Sequence, residues 1–323
     1  MDLKDKKILV TGACGFIGSH LVEELLEQGA IVTALVYYNS FNNWGWLDNL
    51  DKKKKESIKV VSGDIRAPDS MKEVFKDCEI VFNLAALIAI PYSYISPYSY
   101  FKTNVEGTLN LLQLAREYNV EKVLQISTSE IYGTAKYVPI DENHPAQAQS
   151  PYSASKIGSD AVATSFYKSF DLPITIIRPF NVFGPRQSAR AVIPTIITQI
   201  LSGQKEISLG SPLPTRDFTF VKDTVSGIRR IAQSDDSTGK TINLGSGREI
   251  SIGELANLIK AITGSEVEFK FKVEERMRPD TSEVERLLCD NKLLIETVNW
   301  SPNGKLREGL SKTIDWFKIN QNL

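Results

Sequence analysis

Thr128, Ser129 and Glu130 close the apolar run L-Q-I-S-T-S-E with two hydroxyls and a carboxylate. Tyr152 and Lys156 follow, four residues apart. On a helix that spacing puts two side chains on one face, about one turn apart. An ammonium beside a phenol favours the phenolate. The spacing therefore predicts a Tyr152 pKa below the reference value of ~10, and a general base near neutral pH. Glu130 adds a second group able to take or deliver a proton. The plain alternative for Tyr152 and Lys156 is a helix with a packed tyrosine and a solvated lysine.

These five residues need elements that hold a cofactor and a substrate around them. Gly12, Gly15 and Gly18 form G-x-x-G-x-x-G between an apolar run at Ile8–Val10 and a segment, Phe16 to Gln28, with helical spacing. Glycine lets a backbone turn sharply and approach a pyrophosphate, and the following helix offers free N–H groups and the positive end of its dipole. At the end of the second strand an acid would select NAD and an arginine NADP. Val36, Tyr37, Tyr38, Asn39 and Ser40 supply neither. The lack of a cation in that window favours NAD, with NADP as the alternative. Asp64, ending a third strand in G-D-I, is placed to hydrogen-bond an adenine, or else to cap a helix or turn.

Further apolar runs, I-V-T-A-L-V, I-K-V-V-S-G-D, I-V-F-N-L-A-A, K-V-L-Q-I-S-T and I-T-I-I-R-P, alternate with helical segments such as Asn104 to Asn119 and Tyr152 to Phe170. Continuous apolar strands alternating with helices predict an α/β fold, a doubly wound parallel (Rossmann) sheet covered on both faces. After Pro179 the pattern loosens. Helices are expected at Val192 to Leu201, Asp223 to Gln233 and Lys305 to Ile319, and T-I-N-L-G reads as one more sheet strand. Ser251 with Glu254 three residues on is a capping box for a helix ending at Thr263. The expected division is a Rossmann domain of 1–179 plus about 221–248, and a smaller, discontinuous substrate domain of about 180–220 plus 249–323.

Composition narrows the function. The chain has 323 residues, 42% hydrophobic and 24% charged, with 38 basic and 39 acidic side chains. The net charge of −1 gives no global field for nucleic acid or an anionic membrane. Three separated cysteines and two histidines lack metal-ligand spacing, so no metal is expected. No apolar run is long enough for a signal core or a span, and a cytoplasmic location is the expectation. Lys52 to Lys55 reads as a solvated loop.

The motifs T-G-A-C-G-F-I-G, N-L-A-A (Asn83 to Ala86), T-N-V-E-G-T (Thr103 to Thr108), S-T-S-E-I-Y-G (Ser127 to Gly133), Y-S-A-S-K (Tyr152 to Lys156), R-P-F-N-V-F-G-P-R (Arg178 to Arg186), T-R-D-F-T-F-V-K-D (Thr215 to Asp223) and R-P-D (Arg278 to Asp280) run in one order along the chain. In that order they resemble the extended short-chain dehydrogenase/reductases that act on nucleotide sugars. The resemblance implies that Tyr152 is the base for a sugar hydroxyl. It implies that Lys156 anchors the nicotinamide ribose and that Thr128 hydrogen-bonds the sugar's 4-oxygen. It places the NAD pocket at Gly12, Gly15, Phe16, Ile17, Gly18, Asp64, Ile65, Leu84, Ala85, Ala86 and Asn104, with Tyr152 and Lys156.

Glu130 separates reactions within this group. Simple 4-epimerases commonly have no acid there, whereas a 4,6-dehydratase needs a carboxylate to take the C5 proton once C4 is oxidised. Glucose dehydratases typically have an aspartate where this chain has Ser129; GDP-mannose dehydratases resemble it better, with T-S-E. Ser129 is a poor acid, so Glu130 itself or a relay through Ser129 must protonate the leaving hydroxyl. UDP-glucuronate decarboxylases also carry T-S-E and are the main rival, with 4-epimerases behind them and a non-enzymatic dinucleotide sensor last. The stretch Y-N-S-F-N-N-W-G-W-L-D (Tyr38 to Asp48) resembles the branch acting on GDP-N-acetylglucosamine in legionaminic acid synthesis. Trp44 and Trp46 read equally as a small surface cluster.

Arg186, Arg190, Arg216, Arg276 and Arg278 are the local cations a nucleotide diphosphate requires. By resemblance Arg216 and Arg278 meet the diphosphate, Asn181 the sugar or phosphate, and Tyr92, with Pro91 and Ser93, the sugar. Relatives dimerise through two helices per subunit, here Asn104 to Asn119 and Tyr152 to Phe170, so a homodimer is expected.

Overall fold

The structure, a computed structural model, describes residues 1–271 and 282–320. Seven parallel strands form its centre: β1 (Lys7–Thr11), β2 (Ile31–Val36), β3 (Lys59–Ser62), β4 (Ile80–Asn83), β5 (Lys122–Ile126), β6 (Ile174–Pro179) and β11 (Thr241–Leu244). Their order is β11-β6-β5-β4-β1-β2-β3. The direction of winding reverses between β1 and β4, and the crevice at the carboxyl ends of such strands is where α/β sheets bind ligands. The expected Rossmann class is the observed one.

Six of the seven strands carry apolar side chains on both faces, and β11 is apolar on one, with polar Asn243 buried on the other. Ile8, Val10, Ile80, Phe82, Leu124 and Ile126 pack on one side with Leu21 and Leu25 of α1 (Phe16–Glu27) and with Val225 and Ile228 of the helix Val221–Gln233. Leu9, Val81 and Val123 point the other way, onto Leu111 and Leu112 of the helix Gly107–Glu117 and Ala163 and Phe166 of the helix Pro151–Phe170. Period-two alternation thus gives these six strands two apolar faces.

The short strands lie after β6. β7 (Asn181–Phe183) pairs with β10 (Phe218–Phe220), β8 (Glu206–Leu209) with β13 (Glu268–Phe271), and β9 (Thr215–Arg216) with both β12 (Ile250–Ser251) and β14 (Arg286–Leu287). Beside them Ile193, Ile197, Leu255, Ile259, Leu310 and Ile314 form an apolar cluster from the helices Val192–Leu201, Ile252–Thr263 and Leu306–Ile319. The capping box is present: Ser251 Oγ accepts from Glu254 N at 3.2 Å, and Glu254 Oε2 accepts from Ser251 N at 3.0 Å.

Two expected elements differ. Lys52 to Lys55, expected as a loop, lies in a short helix, Lys52–Glu56, because Asp51 caps it, its Oδ1 accepting from Lys54 N at 2.9 Å. Phe101–Glu106, entering the 107–117 helix, is a π-helical stretch. Such wide turns are uncommon and frequently accompany functional sites; this one carries Asn104. Among the described residues no helix is long and apolar enough to cross a membrane, and no cluster of His, Cys, Asp and Glu could hold a metal ion.

Candidate active site

The glycine loop sits at the β1/β4 crevice. Gly12 has φ +65°, and a Cβ there would lie 2.9 Å from the Ala85 nitrogen. A Cβ on Gly18 would lie 2.2 Å from the Gly12 carbonyl oxygen. Loop, α1 and the Leu84–Ala85 segment therefore meet backbone to backbone. Gly15 caps α1 with no side-chain hydrogen bond, so the first N–H groups of the helix face the crevice uncapped by any side chain. This cradle fits the pyrophosphate of a dinucleotide.

A polar ladder fixes the cradle to the sheet. Thr11 Oγ1 donates to Asn83 Oδ1 (2.7 Å) and accepts from Leu84 N (3.1 Å) and Ala85 N (3.0 Å). Asn83 Nδ2 donates to Gln125 Oε1 at 2.8 Å. All three side chains are buried. The motif reading missed Thr11 and Gln125, although each is a polar residue in or ending an apolar strand.

Asn104, expected at the cofactor, is committed to backbone. Its Oδ1 accepts from Leu87 N (2.9 Å), and its Nδ2 donates to Leu87 O (3.0 Å) and Ser155 Oγ (2.9 Å). It brackets the N-L-A-A loop against the 151–170 helix. Ile65 is buried, with its side chain against Gly107. Phe16 and Ile17 are partly buried in the first turn of α1, and Ala86 follows the Leu84–Ala85 contact.

Asp64 lies where expected, but a cation stands beside it. Arg66 Nε donates to both Asp64 oxygens (3.0 and 2.9 Å), and Arg66 Nη2 reaches Tyr37 Oη at 3.0 Å. Arg66 holds the Asp64 carboxyl below its ordinary range. The window at the end of β2 thus does have a guanidinium. It arrives from the segment after β3, outside the stretch read for it, and the Asp64 pair neutralises it.

The candidate catalytic residues converge at the end of β5. Ser150 and Ser153 cap the 151–170 helix reciprocally, and Pro151 opens it. Tyr152 and Lys156 are buried on it, 7% and 4% exposed. Thr128 caps the short 3-10 turn Ser129–Tyr132, its Oγ1 accepting from Glu130 N at 3.2 Å. Tyr152 is hydrogen-bonded to the Thr128 side chain and lies within the field of Glu130. Ser129 is buried beside them, and Tyr100 stands edge-on to Tyr152 with ring centroids 6.2 Å apart. The expected cluster of five is therefore brought together.

The expected direction of the Tyr152 shift is not observed. Burial pushes the phenol up; the Thr128 hydrogen bond opposes this and the Glu130 carboxylate adds to it. Lys156 does not sit on the phenol, because its Nζ donates to the Ile126 carbonyl at 2.6 Å. Burial pulls Lys156 itself down to about 8, against the Asp160 carboxylate. Helical spacing alone carried no information about the desolvation of both groups.

The expected substrate residues divide. Tyr92 is half-exposed, 6.2 Å from the Tyr100 ring. Asn181 Oδ1 is buried with no hydrogen-bond partner among the described residues, as a ligand donor would require. Arg216 is buried, its Nη1 on Thr215 O (2.8 Å) and its Nη2 3.4 Å from Glu283. Arg186, at φ +67°, reaches Ser19 Oγ and Glu23 Oε2 of α1 with its Nη1, both at 3.2 Å. Arg276 and Arg278 lie outside the described residues. Trp44 is 39% exposed, whereas Trp46 packs edge-on against Trp316 of the C-terminal helix at 5.5 Å and donates its N–H to Cys14 O at 3.1 Å.

A profile of the family described as GDP-mannose 4,6 dehydratase matches residues 9–313. A putative UDP-glucose 4-epimerase of Methanocaldococcus jannaschii is 33% identical over 322 residues, covering 97% of this chain and 99% of that one. The human dTDP-D-glucose 4,6-dehydratase is 31% identical over 321 residues, covering 98% and 91%. Among solved structures, the dTDP-glucose 4,6-dehydratase DesIV of Streptomyces venezuelae, with NAD bound, superposes with a TM-score of 0.87 at 28% identity, covering 98% of both chains.

Proposed function

This chain belongs to the GDP-mannose 4,6-dehydratase family of extended short-chain dehydrogenase/reductases, and on that premise we propose that it is an NAD-dependent nucleotide-sugar 4,6-dehydratase. The observation that carries the reading is Glu130 on the short turn that Thr128 caps at the end of β5, the same strand end to which the helix of buried Tyr152 and Lys156 is tied by the Lys156–Ile126 hydrogen bond. NAD, when bound, accepts a hydride from C4 and later returns it to C6, and its oxidised ring brings positive charge to the pocket.

Tyr152 takes the proton of the sugar's 4-hydroxyl, with Thr128 holding the 4-oxygen. Burial raises the phenol's pKa, so its activation depends on positive charge that the bound cofactor would bring to the pocket, with Lys156 anchoring the nicotinamide ribose. A 4-keto group makes the C5 proton acidic. Glu130 removes it, the 6-hydroxyl departs as water with a proton delivered by Glu130 or relayed through Ser129, and a hydride at C6 together with a proton restored to C5, equivalent to the one Tyr152 took from the 4-hydroxyl, would give a 4-keto-6-deoxy sugar. Gly12, Gly15 and Gly18 with the start of α1 would hold the pyrophosphate, and Asp64 the adenine side. Asn181, Arg216, Arg278 and Tyr92 would hold the substrate.

GDP-N-acetylglucosamine is the substrate we propose, on the likeness of the Tyr38–Asp48 stretch. Exposed Ile95, Tyr98 and Phe101, just ahead of a helix expected at a subunit contact, support a homodimer. Epimerases and decarboxylases are also among the relatives, so the test must separate three outcomes. The protein is incubated with GDP-, UDP-, CDP- and dTDP-hexoses and UDP-glucuronate, and the products are weighed by mass spectrometry. Loss of one water, ~18 Da, is expected from the elimination. Carbon dioxide loss from UDP-glucuronate alone, or a mass-neutral isomerisation alone, would replace this reading.

A further inference from the structure

Behind the catalytic pair, buried polar groups run from the 151–170 helix to the turn that carries Glu130. Asp160 lies one helical turn beyond Lys156 and is 5% exposed. Its Oδ2 accepts from Arg178 Nε, on β6, at 3.2 Å. Arg178 Nη1 donates to Tyr132 Oη at 2.9 Å, and the guanidinium lies over the Tyr132 ring, 5.2 Å from its centroid. Tyr132 Oη donates in turn to Asn243 Oδ1, on β11, at 2.7 Å. Asn243 is anchored to the Ile140 carbonyl (3.0 Å) and to Glu142 (2.7 Å). Tyr132 closes the 3-10 turn that Thr128 caps and that contains Ser129 and Glu130. A single chain of bonds therefore joins the helix bearing Tyr152 and Lys156, two strands, and the turn bearing Glu130.

We propose that Asp160, Arg178 and Tyr132 are positioning residues that hold the Glu130 turn in register with the catalytic helix. None of the three needs to touch the substrate. The two catalytic elements are separate in sequence, and packing alone would let the turn slide relative to the helix. A fork-shaped guanidinium with fixed partners on both sides allows less play than apolar contacts. The groups acting on the pair are Asp160 on Lys156, and Glu130, Tyr100 and Asp160 on Tyr152, with Arg178 facing Asp160 from β6.

This rests on the catalytic roles proposed above, so the experiment has one arm that does not use them. Tyr132→Phe, Arg178→Lys and Asp160→Asn are compared with the unaltered full chain by hydrogen exchange and mass spectrometry. Peptides spanning 127–133 should exchange ~10-fold faster in Tyr132→Phe and Arg178→Lys, while peptides from β1 to β4 stay unchanged. Uniform acceleration across the chain, or none, overturns the positioning role. In the second arm, on whichever nucleotide sugar the unaltered protein converts, Tyr132→Phe should lower kcat ~10-fold with KM within about twofold. Arg178→Lys should lower kcat in the same way, again with little change in KM. Unchanged kcat in variants that melt normally also overturns it. If Asp160→Asn does not fold, Tyr132→Phe, which keeps the packed ring, decides the positioning role. If the unaltered protein converts no nucleotide sugar, the functional reading fails while the exchange arm still stands or falls separately.

Discussion

Replacing Gly18 by alanine tests whether the glycine loop is a cofactor cradle or only a tight turn. The added Cβ would lie 2.2 Å from the Gly12 oxygen, 2.9 Å from the Gly12 carbonyl carbon and 3.0 Å from Ala13 Cα. Non-bonded carbons settle about 3.5–4.0 Å apart, so loop and helix must separate by roughly 1 Å. All the opposing atoms are backbone, and no rotamer change relieves them. Overpacking of this kind costs ~1–3 kcal/mol. Alanine's better helix propensity returns about 1 kcal/mol, so the melting temperature should change little. The displacement falls where α1 would meet the pyrophosphate, so NAD affinity should drop ~10–100-fold, which is ~1.4–2.8 kcal/mol. Isothermal titration with NAD measures it directly. Gly15→Ala is the control, because its Cβ would lie 3.2 Å from the same oxygen and a small shift accommodates it. A Gly18→Ala protein that binds NAD within a factor of two or three of the original would refute the reasoning, as would a Gly15→Ala loss of equal size.

Glu130→Gln should cost at least ~100-fold in dehydration, the usual scale of an acid/base group, and should also abolish solvent deuterium uptake at C5; retained uptake would assign the proton to another base. Lys122 is a buried lysine whose Nζ caps the helix ending at Gln233, donating to Ala232 O (3.1 Å) and Ser234 O (2.5 Å). Lys122→Met removes the Lys122 bond from the Ala232 carbonyl, whereas Ser234 O keeps Ser237 Oγ at 2.8 Å; the variant should destabilise by ~1–3 kcal/mol in urea unfolding, and a stabilised variant would show that desolvation of the ammonium outweighs its bonds. Burial opposes ionisation of Glu23, but His20, Arg186 and Lys222 outweigh it and hold the carboxyl well below its usual range. A depressed carboxyl pKa adds stability that is present above the unfolded value of ~4.3 and is lost as pH falls below it. Glu23→Gln should therefore destabilise by ~1–3 kcal/mol at neutral pH, with the gap closing as denaturation is repeated towards about pH 3.5.

The sheet was legible because six of its seven strands are apolar on two faces, a pattern no surface strand sustains. The Ser251 and Glu254 capping box was legible because its signal is local. Tyr152, Lys156 and the Thr128–Glu130 turn were legible as a group through their spacing and company. What escaped depends on long-range geometry. Arg66 reaches the end of β2 from the segment after β3, so a window along one strand could not contain it. Arg186 turns to α1 through a left-handed backbone conformation that the motif G-P-R does not announce. The Tyr152 shift went the other way because desolvation is a property of the assembled pocket, whereas the i, i+4 spacing describes one helix only. Tyr132 and Arg178 sit inside motifs already quoted and Asp160 one turn beyond Y-S-A-S-K, but their pairing exists only once β6 lies beside β5.

The ladder of Thr11, Asn83 and Gln125 also constrains how this protein can change over generations. Each side chain is buried, and each satisfies a donor or acceptor on its neighbour. An apolar replacement at any one position strands a polar atom in the next strand, at a cost of ~1–3 kcal/mol. Replacing the ladder as a set avoids that cost but releases the Leu84 and Ala85 N–H groups from Thr11. Positions 11, 83 and 125 should therefore drift together or not at all, and threonine 11 should be the last of them to go, because it alone also answers to the backbone of the cradle.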